Sequence, residues 1–320
     1  KEPLPSRTVH VFCYHGVEDD PSNFYHSRAD DFVEQMQLLQ ERGYESISCR
    51  QLADYLGGKE DLPEQSVLIS FDDGKEVVYD NACSILEEYG YRATLFINSD
   101  TIGGEGFMTW DQVKELHDRG YEIAAHTCTH ENLAKRGDRS QAEYEEMVNS
   151  QLRDCRAAIE ENTGGECVAL AYPYGTYTDF VMEATREAGY RLGFTIDRGA
   201  ADDRSDPYRL PRQMVVRDNS LKTFKRWLDQ EPLHLEDVDP PIGQVVTSKD
   251  VTITGRVADG IDVSSLQLVE GGTDPSFDTT EETSTFTLET TLREGANNIR
   301  LQYPGVSDRE TSWVVLCRVQ

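Results

Sequence analysis

The stretch VLISFDDG, residues 67–74, joins an apolar segment to two adjacent carboxylates and a glycine. Its apolar part, residues 67–71, predicts a buried strand, and Gly74 permits a sharp turn directly after it. In barrels of parallel strands the active site lies where the strands end, so Asp72 and Asp73 are candidate active-site residues. One carboxylate can bind a cation while its neighbour points elsewhere and handles protons. Taken alone, the stretch fits an Asp-Gly turn with a helix-capping aspartate equally well.

Short β-branched runs alternate with longer amphipathic runs on both sides of this stretch, from residue 8 to about residue 196. Phe32, Met36 and Leu39 recur at helical spacing in a predicted helix over residues 29–42, and a second helix is predicted over residues 141–161. Roughly six or seven such units without a Gly-rich phosphate loop favour an α/β fold of the (β/α) barrel type over a dinucleotide-binding sheet. Besides residues 67–71, the predicted strands are residues 9–14, 93–97, 122–125, 168–172 and 192–196.

The pattern changes near residue 240, where prolines and Gly243 interrupt the helical periodicity and acidic residues predict a solvated connector. We therefore predict a catalytic domain over residues 1–239 and an accessory domain over residues 240–320. In the second part apolar and polar residues alternate between Gly, Asp and Asn turns, which predicts a small antiparallel β-sandwich of the immunoglobulin type. Trp313 alternates with apolar residues there, so we expect its ring to be buried.

The 320-residue chain contains 59 acidic and 31 basic residues and has a formal charge of −28. This charge repels nucleic acid and anionic lipid, so we expect no nucleic-acid partner. It suits a salt-rich habitat and an ordinary acidic surface about equally well. No apolar run reaches the roughly 18 residues of a membrane span, so no membrane-spanning segment is predicted. Seven cysteines without a CxxC pair argue against a zinc knuckle and against a dense disulfide scaffold.

A second candidate motif, HTCTH at residues 126–130, follows the predicted strand 122–125. His126 and His130 are four residues apart with small residues between them, so both imidazoles can converge on one ion. With one carboxylate they form a two-histidine, one-carboxylate set that leaves positions open for water and substrate. The alternative, two solvent-exposed loop histidines, is less expected beside a separate strand-end Asp-Asp pair. Cys128 lies midway between the histidines and is predicted to point away from the ion.

Two further motifs follow later in the chain. AYPYG, residues 171–175, ends an apolar strand, and its proline fixes the backbone so that Tyr174 can present a main-chain N–H and an aromatic wall to a ligand. A packed turn explains this motif equally well. RLPR, residues 209–212, contains Arg212, whose cation can orient an active-site carboxylate, with a surface ion pair as an equal alternative.

SFDDG, HTCTH, AYPYG and LPR, in this order, resemble the signature motifs of the polysaccharide deacetylase family, also called carbohydrate esterase family four or the NodB homology domain. The segments YHGV, residues 14–17, and MTW, residues 108–110, also resemble members of that family. The resemblance covers about residues 8–235. It implies a distorted, seven-stranded (β/α) barrel and a divalent metal, usually Zn²⁺, with Co²⁺, Ni²⁺ or Fe²⁺ as alternatives.

By this resemblance Asp72 matches the catalytic base, Asp73 the metal-binding carboxylate, and His126 and His130 the metal-binding imidazoles. Tyr174 matches the residue whose main-chain N–H helps to hold the oxyanion. The physical chemistry agrees with these roles, because a divalent metal polarises a carbonyl and a neighbouring carboxylate can take a proton from water.

The chain departs from the family pattern at two places. Most relatives have an arginine at the position of Ala171, where it orients the base. The AYPYG form resembles the branch that acts on poly-N-acetylglucosamine, and there Arg212 is the predicted substitute. In most relatives a histidine late in the domain's sequence serves as the general acid. In this chain only His234, close to the predicted connector, matches it.

The resemblance implies a hydrolase that releases acetate from N-acetylglucosamine units of an acetylated polysaccharide, with poly-N-acetylglucosamine ahead of chitin-like chains and peptidoglycan. This substrate class implies a secreted, periplasmic or cell-surface protein whose export signal has been removed. Two alternatives stay open. One is an O-acetyl esterase acting on a xylan-like glycan, and the other is a non-catalytic carbohydrate-binding or adhesion protein. No feature of the sequence specifies an oligomeric state.

Overall fold

The computed structural model describes residues 3–258, 261–305 and 308–319 of the chain. In its first domain, short strands alternate with helices, as the sequence pattern predicts. The strands are β1 (Val9–Tyr14), β2 (Gly16–Glu18), β3 (His26–Arg28), β4 (Glu45–Ser46), β5 (Ser66–Asp73), β6 (Thr94–Ile97), β7 (Glu122–Ala125), β8 (Ala169–Ala171), β9 (Leu192–Phe194) and β10 (Gln213–Met214). The helices are α1 (Ala29–Glu41), α2 (Cys49–Leu56), α3 (Cys83–Glu88), α4 (Trp110–Asp118), α5 (Gln141–Thr163), α6 (Asp179–Glu187) and α7 (Leu221–Leu228).

One parallel sheet organises this domain. Its strands follow the order β10-β1-β5-β6-β7-β8-β9, and β4 adds to it beside β5. The two edges approach each other, because Phe194 at the end of β9 bridges Leu210, which lies just before β10. The predicted parallel α/β fold is therefore confirmed, and the sheet is consistent with a (β/α) barrel.

The element boundaries follow from local sequence. The helix predicted over residues 141–161 is α5, which begins after a capping box formed by Ser140 and Glu143 and ends at Gly164 with a φ of 76°. The strand predicted over residues 67–71 extends to Asp73, because Asp72 and Asp73 also pair with β6. Both carboxylates are thus the last two residues of a paired strand and do not belong to a free loop. Within the described part of the chain, no helix has both the length and the apolar character needed to cross a membrane.

The second domain consists of two β-sheets. Trp313 is 1% exposed and lies in their shared core beside residues such as Phe286, as the alternating pattern predicts. One sheet has the order β11-β19-β18-β15, with β13 beside β19, and the other has the order β12-β14-β17-β16. The all-β prediction is confirmed, while the immunoglobulin type stays a prediction. The strands are β11 (Glu231–Pro232), β12 (Leu235–Asp239), β13 (Val245–Val246), β14 (Asp250–Val257), β15 (Gln267–Gly271), β16 (Thr273–Thr280), β17 (Thr285–Thr291), β18 (Gly295–Tyr303) and β19 (Arg309–Cys317).

Two strands that precede residue 240 already pair with this second domain. The strand β11 pairs with β19, and β12 pairs with β14. Pro232 is tolerated in β11 because this strand is at the edge of its sheet. A register shift between Glu236 and Asp239 interrupts the apolar-polar alternation of β12, so the sequence pattern does not indicate a strand there. Of the stretch predicted as a solvated connector, the acidic part is therefore paired strand up to Asp239, whereas Pro240, Pro241 and Gly243 lie between β12 and β13.

Candidate metal centre and active site

The ends of two strands of the same sheet bring the predicted metal ligands together. Asp73 ends β5, and His126 directly follows β7, with β6 between these two strands. His126 Nε2 is 3.8 Å from Asp73 Oδ1, and His130 Nε2 is 3.7 Å from the same oxygen. One ligand atom from each of the three residues lies within 4.8 Å of the others. The predicted two-histidine, one-carboxylate set is thus assembled in space.

The ring of His126 is oriented by a main-chain carbonyl. Its Nδ1 is 2.8 Å from the oxygen of Ala171 at the end of β8. A carbonyl only accepts, so Nδ1 carries the hydrogen and the lone pair of Nε2 faces the cluster. Burial also lowers the pKa of His126, which favours the neutral imidazole that metals bind. Both effects prepare this histidine to act as a ligand.

Strained backbone is concentrated around the cluster. Asp73, Thr127, His130 and Tyr174 have φ values of 77°, 68°, 61° and 61°, in the left-handed region that residues with side chains rarely adopt. The Thr127 hydroxyl accepts from the His130 N–H at 3.1 Å, which holds the histidine loop in this conformation. Such strain is stored at functional sites more often than elsewhere.

The donor set fits a divalent metal. Ligand atoms 3.7–3.8 Å apart can each lie about 2.0–2.2 Å from one ion, the distance that zinc takes from imidazole and carboxylate. Cys128 does not join them, because its thiol contacts the main-chain oxygen of Gln151 in α5. Asp73, His126 and His130 would therefore hold the ion and leave further coordination positions open.

The second carboxylate, Asp72, forms a bidentate ion pair with Arg212. Nη1 and Nη2 of Arg212 donate to Oδ1 and Oδ2 of Asp72 at 2.7 and 2.8 Å, and both side chains are buried. Arg212 is itself held by the carbonyl of Thr195, which accepts from Nε at 2.8 Å. Burial alone would raise the pKa of Asp72, but the Arg212 guanidinium beside it holds that pKa well below its usual range. The predicted contact between Arg212 and a strand-end carboxylate is present.

A cavity of about 360 Å³ opens onto Asp72, Asp73 and both histidines. Tyr174 lines it, and its ring centroid is 4.6 Å from that of His130. The predicted aromatic wall at Tyr174 therefore lies beside His130, one of the candidate metal ligands. On another side the cavity is lined by His15 and Tyr25, which the motif search did not single out as site residues.

His234 lies outside this cavity. Its Nε2 is 2.8 Å from Asp202 Oδ2, and it lines a different cavity, at the junction of the two domains. The structure thus does not bring the predicted general acid to Asp72. The reason is that His234 lies between β11 and β12, whose pairing draws this segment into the second domain.

His15 occupies the position beside Asp72 instead. One nitrogen of its ring, the Asp72 carboxylate and the Cys13 thiol lie within 4.8 Å of one another. Its Nδ1 is buried and has no hydrogen-bond partner among the described residues. A sequence signal existed, because His15 directly follows β1, and β1 pairs with β5 so that Tyr14 lies opposite Phe71. A histidine directly after the neighbouring strand must therefore lie near Asp72.

Comparisons with known proteins show what this chain is similar to. Residues 59–193 match the family model described as polysaccharide deacetylase. The poly-β-1,6-N-acetyl-D-glucosamine N-deacetylase of Staphylococcus aureus (strain MRSA252) is 28% identical over 210 residues, which are 63% of this chain and 72% of that protein.

Two solved structures are also similar to this chain. The structure of IcaB from Ammonifex degensii is 28% identical, covers 71% of this chain and 99% of that chain, and has a TM-score of 0.61. The deacetylase PplD of Streptococcus pyogenes has a TM-score of 0.63 at 22% identity, with 71% of this chain and 99% of that chain covered. The latter similarity concerns the fold alone, and both alignments leave out about the length of the second domain.

Proposed function

We propose that this chain, whose residues 59–193 match the polysaccharide deacetylase family model, is a metal-dependent hydrolase of that family that removes N-acetyl groups from N-acetylglucosamine units of a glycan. The observation that carries the proposal is one cavity containing a metal-type ligand set beside a carboxylate fixed by a buried arginine. We favour poly-N-acetylglucosamine as the substrate, since a relative named for that activity is 28% identical over most of its length. The products are acetate and a glycan with free amines.

Asp73, His126 and His130 would hold a divalent cation, with Zn²⁺ favoured and Co²⁺, Ni²⁺ or Fe²⁺ as alternatives. When bound, such a cation polarises the acetyl carbonyl and makes water more acidic. The carbonyl of Ala171 keeps the His126 ring in the orientation that this ligation requires.

Asp72 takes the proton from the attacking water in this proposal. Its lowered pKa keeps Asp72 ionised at neutral pH. The two hydrogen bonds from Arg212 fix the orientation of the carboxylate plane. Each carboxylate oxygen can accept more than one hydrogen bond, so a water can still bind to Asp72. The buried guanidinium thus orients the base without blocking it.

His15 protonates the leaving nitrogen, the role that the family resemblance gives to His234. Of these two histidines only His15 lines the cavity with Asp72. Because the groups are adjacent, a proton accepted by Asp72 can be returned to His15 after each cycle. The main-chain N–H of Tyr174 stabilises the charge that develops on the acetyl oxygen.

Acetylated glycans of this class lie outside the cytoplasm, so we also propose a secreted, periplasmic or cell-surface location. The same cavity chemistry would hydrolyse an acetyl ester, which is the nearest competing activity. Comparing an amide substrate with an ester substrate separates the two.

The test combines metal analysis of the purified protein with acetate release from β-1,6-linked N-acetylglucosamine oligomers, chitin oligomers and acetylated xylan. We expect about one divalent ion per chain and release from the first substrate. Asp72→Asn should reduce release, whereas Asp111→Asn, at an exposed carboxylate of α4, should not. Release from xylan alone would replace the proposal with an O-acetyl esterase. Binding without any release would point to a non-catalytic glycan-binding protein.

A further inference from the structure

Exposed aromatic side chains are gathered at the mouth of the active-site cavity. Among the described residues the exposed large hydrophobic side chains are Phe24 (46%), Tyr25 (48%), Tyr174 (59%) and two valines of the second domain. Tyr25 and Tyr174 line the cavity, and the ring of Phe24 packs edge-on against Tyr25, with centroids 5.6 Å apart. Exposing rings to water is unfavourable, and clustered exposed apolar groups commonly mark binding sites.

Phe24 and Tyr25 form what we call the aromatic lip, and the backbone holds it in place. The N–H of Tyr25 donates to the side chain of Asn23 at 3.0 Å, and the N–H of His26 donates to the carbonyl of Asn23 at 3.2 Å. From the segment after β10, the N–H of Arg217 donates to the carbonyl of Phe24 at 3.0 Å. A surface fixed in this way loses little conformational entropy when it binds a ligand.

The lip and Tyr174 stand on opposite sides of the reaction centre. Tyr25 lies against His15, with ring centroids 5.5 Å apart, and Tyr174 lies against His130. His15 follows β1 and His130 belongs to the loop after β7, and these strands lie on either side of β5 in the sheet. A glycan that extends from the cavity past His15 therefore meets the lip, and one that extends past His130 meets Tyr174.

The size of the cavity limits what it can enclose. A volume of about 360 Å³ is near the lower end of the roughly 300–1,000 Å³ found for small-molecule pockets, which suits one acetylated sugar unit. The next unit of a polymer must lie outside, on the rim. The apolar C–H face of a pyranose matches the exposed, uncharged face of an aromatic ring.

We propose that the aromatic lip is a binding subsite for the sugar unit next to the one being deacetylated, and that it makes the enzyme prefer long oligomers over single units. This inference rests on the proposed function, since it names how the same site binds its glycan. The ring of Phe24 stacks on this neighbouring sugar unit, and Tyr25 contacts both Phe24 and the cavity.

The test compares kcat/KM for a hexamer and for a single acetylated unit. Phe24→Ala should lower the hexamer-to-monomer ratio roughly three- to tenfold, mainly through KM of the hexamer, which is the size of one aromatic stacking contact. Phe24→Trp should restore the ratio, while Phe24→Leu, which stays apolar but has no aromatic face, should not. Val269→Ala, at an exposed apolar residue of the second domain, is the matched control.

Binding of the same hexamer to Asp72→Asn, measured by titration calorimetry, tests the lip without turnover. Loss of hexamer affinity on adding Phe24→Ala would support the lip even if the glycan proved not to be hydrolysed. An unchanged ratio and unchanged affinity in Phe24→Ala would overturn the inference. So would a Phe24-dependent dimer or a Phe24-dependent association with lipid vesicles, because the lip would then serve another partner.

Discussion

Arg212 donates from both terminal nitrogens to the two oxygens of Asp72, at 2.7 and 2.8 Å, and both side chains are buried. The two residues are 140 positions apart in sequence. A buried charge pair of this kind costs desolvation energy that the contact itself only offsets. The presence of this pair beside the candidate metal ligands is therefore better explained by the orientation that Arg212 gives to the Asp72 carboxylate than by a gain in stability.

The first prediction concerns this pair. Arg212→Gln leaves the Asp72 carboxylate buried without its countercharge and free to rotate, so acetate release should fall roughly 10²–10⁴-fold. The free energy of unfolding should also drop by about 3–5 kcal/mol, the usual cost of breaking a buried pair. Arg186→Lys, in an exposed pair with Glu183, should change neither quantity appreciably. Near-normal acetate release by Arg212→Gln would contradict the assigned role.

The second prediction concerns metal binding and does not depend on activity. Adding Zn²⁺ to metal-free protein should raise the melting temperature, since an ion at 100 times its Kd stabilises the fold by about 2.7 kcal/mol. His130→Gln should abolish most of this shift. His117→Gln should retain it, because His117 belongs to neither ligand cluster found among the described residues. Equal shifts in the two variants would place the metal elsewhere.

The third prediction decides between the two candidate proton donors. His15→Gln should lower kcat roughly 10²-fold or more, because His15 lies beside Asp72 in the cavity. His234→Gln should keep kcat within a few-fold and lose only its contact with Asp202. Steady-state kinetics on one N-acetylglucosamine oligomer measures both. The reverse pattern would restore the assignment that chain order suggests.

Sequence predicts some of this site and not the rest, for identifiable reasons. Asp73, His126 and Tyr174 each follow an apolar run, and parallel strands bring such ends to one edge of a sheet. The partner of Arg212 is not predictable locally, since its guanidinium, next to β10, reaches past β1 to a carboxylate of β5 that is 140 positions away in sequence. His234 was matched by its order in the chain, but strand pairing in the second domain decides where it lies.

The fourth prediction concerns the second domain. The main-chain N–H of Arg198 donates to the hydroxyl of Ser312 at 2.6 Å, and the N–H of Ser312 donates to the carbonyl of Arg198 at 3.1 Å. One residue before Arg198, the carbonyl of Asp197 accepts from the main-chain N–H of Arg212 at 3.0 Å. The strand β19 therefore contacts the segment that holds the arginine of the Asp72 pair.

Gly199→Ala should disturb this contact. Gly199 has a φ of 134°, and a Cβ there would lie 2.7 Å from the carbonyl oxygen of Glu310 in β19. We expect lower stability, by about 1–3 kcal/mol, and a lower kcat with unchanged metal affinity. Gly90→Ala is the matched control, because Gly90 also has a positive φ, 79°, but no atom within 4 Å of the added carbon. Identical kinetics in the two variants would argue against any influence of the second domain on Arg212.

The last prediction is a pH dependence of stability that arises far from the reaction centre. His10 in β1 is 6% exposed, and burial lowers its pKa to about 4, although Asp229 acts in the opposite direction. Between pH 6.5 and about 4 the unfolded chain binds a proton at this histidine that the folded chain does not bind. The contribution of His10 to stability is therefore lost as the pH falls through this window, by an amount on the order of 3 kcal/mol.

His10→Phe keeps a ring against Tyr44 but cannot titrate. Urea unfolding at several pH values between 7 and 4.5 should show wild type losing stability relative to this variant as the pH falls. The stability of wild type has to be compared with that of the variant at each pH. Burial raises the pKa of Asp197 to about 6, so this group makes the free energy of unfolding rise as the pH falls over much of the same range, opposite to the effect of His10. Parallel pH profiles for wild type and His10→Phe would show that His10 is protonated as readily in the folded chain as in the unfolded one.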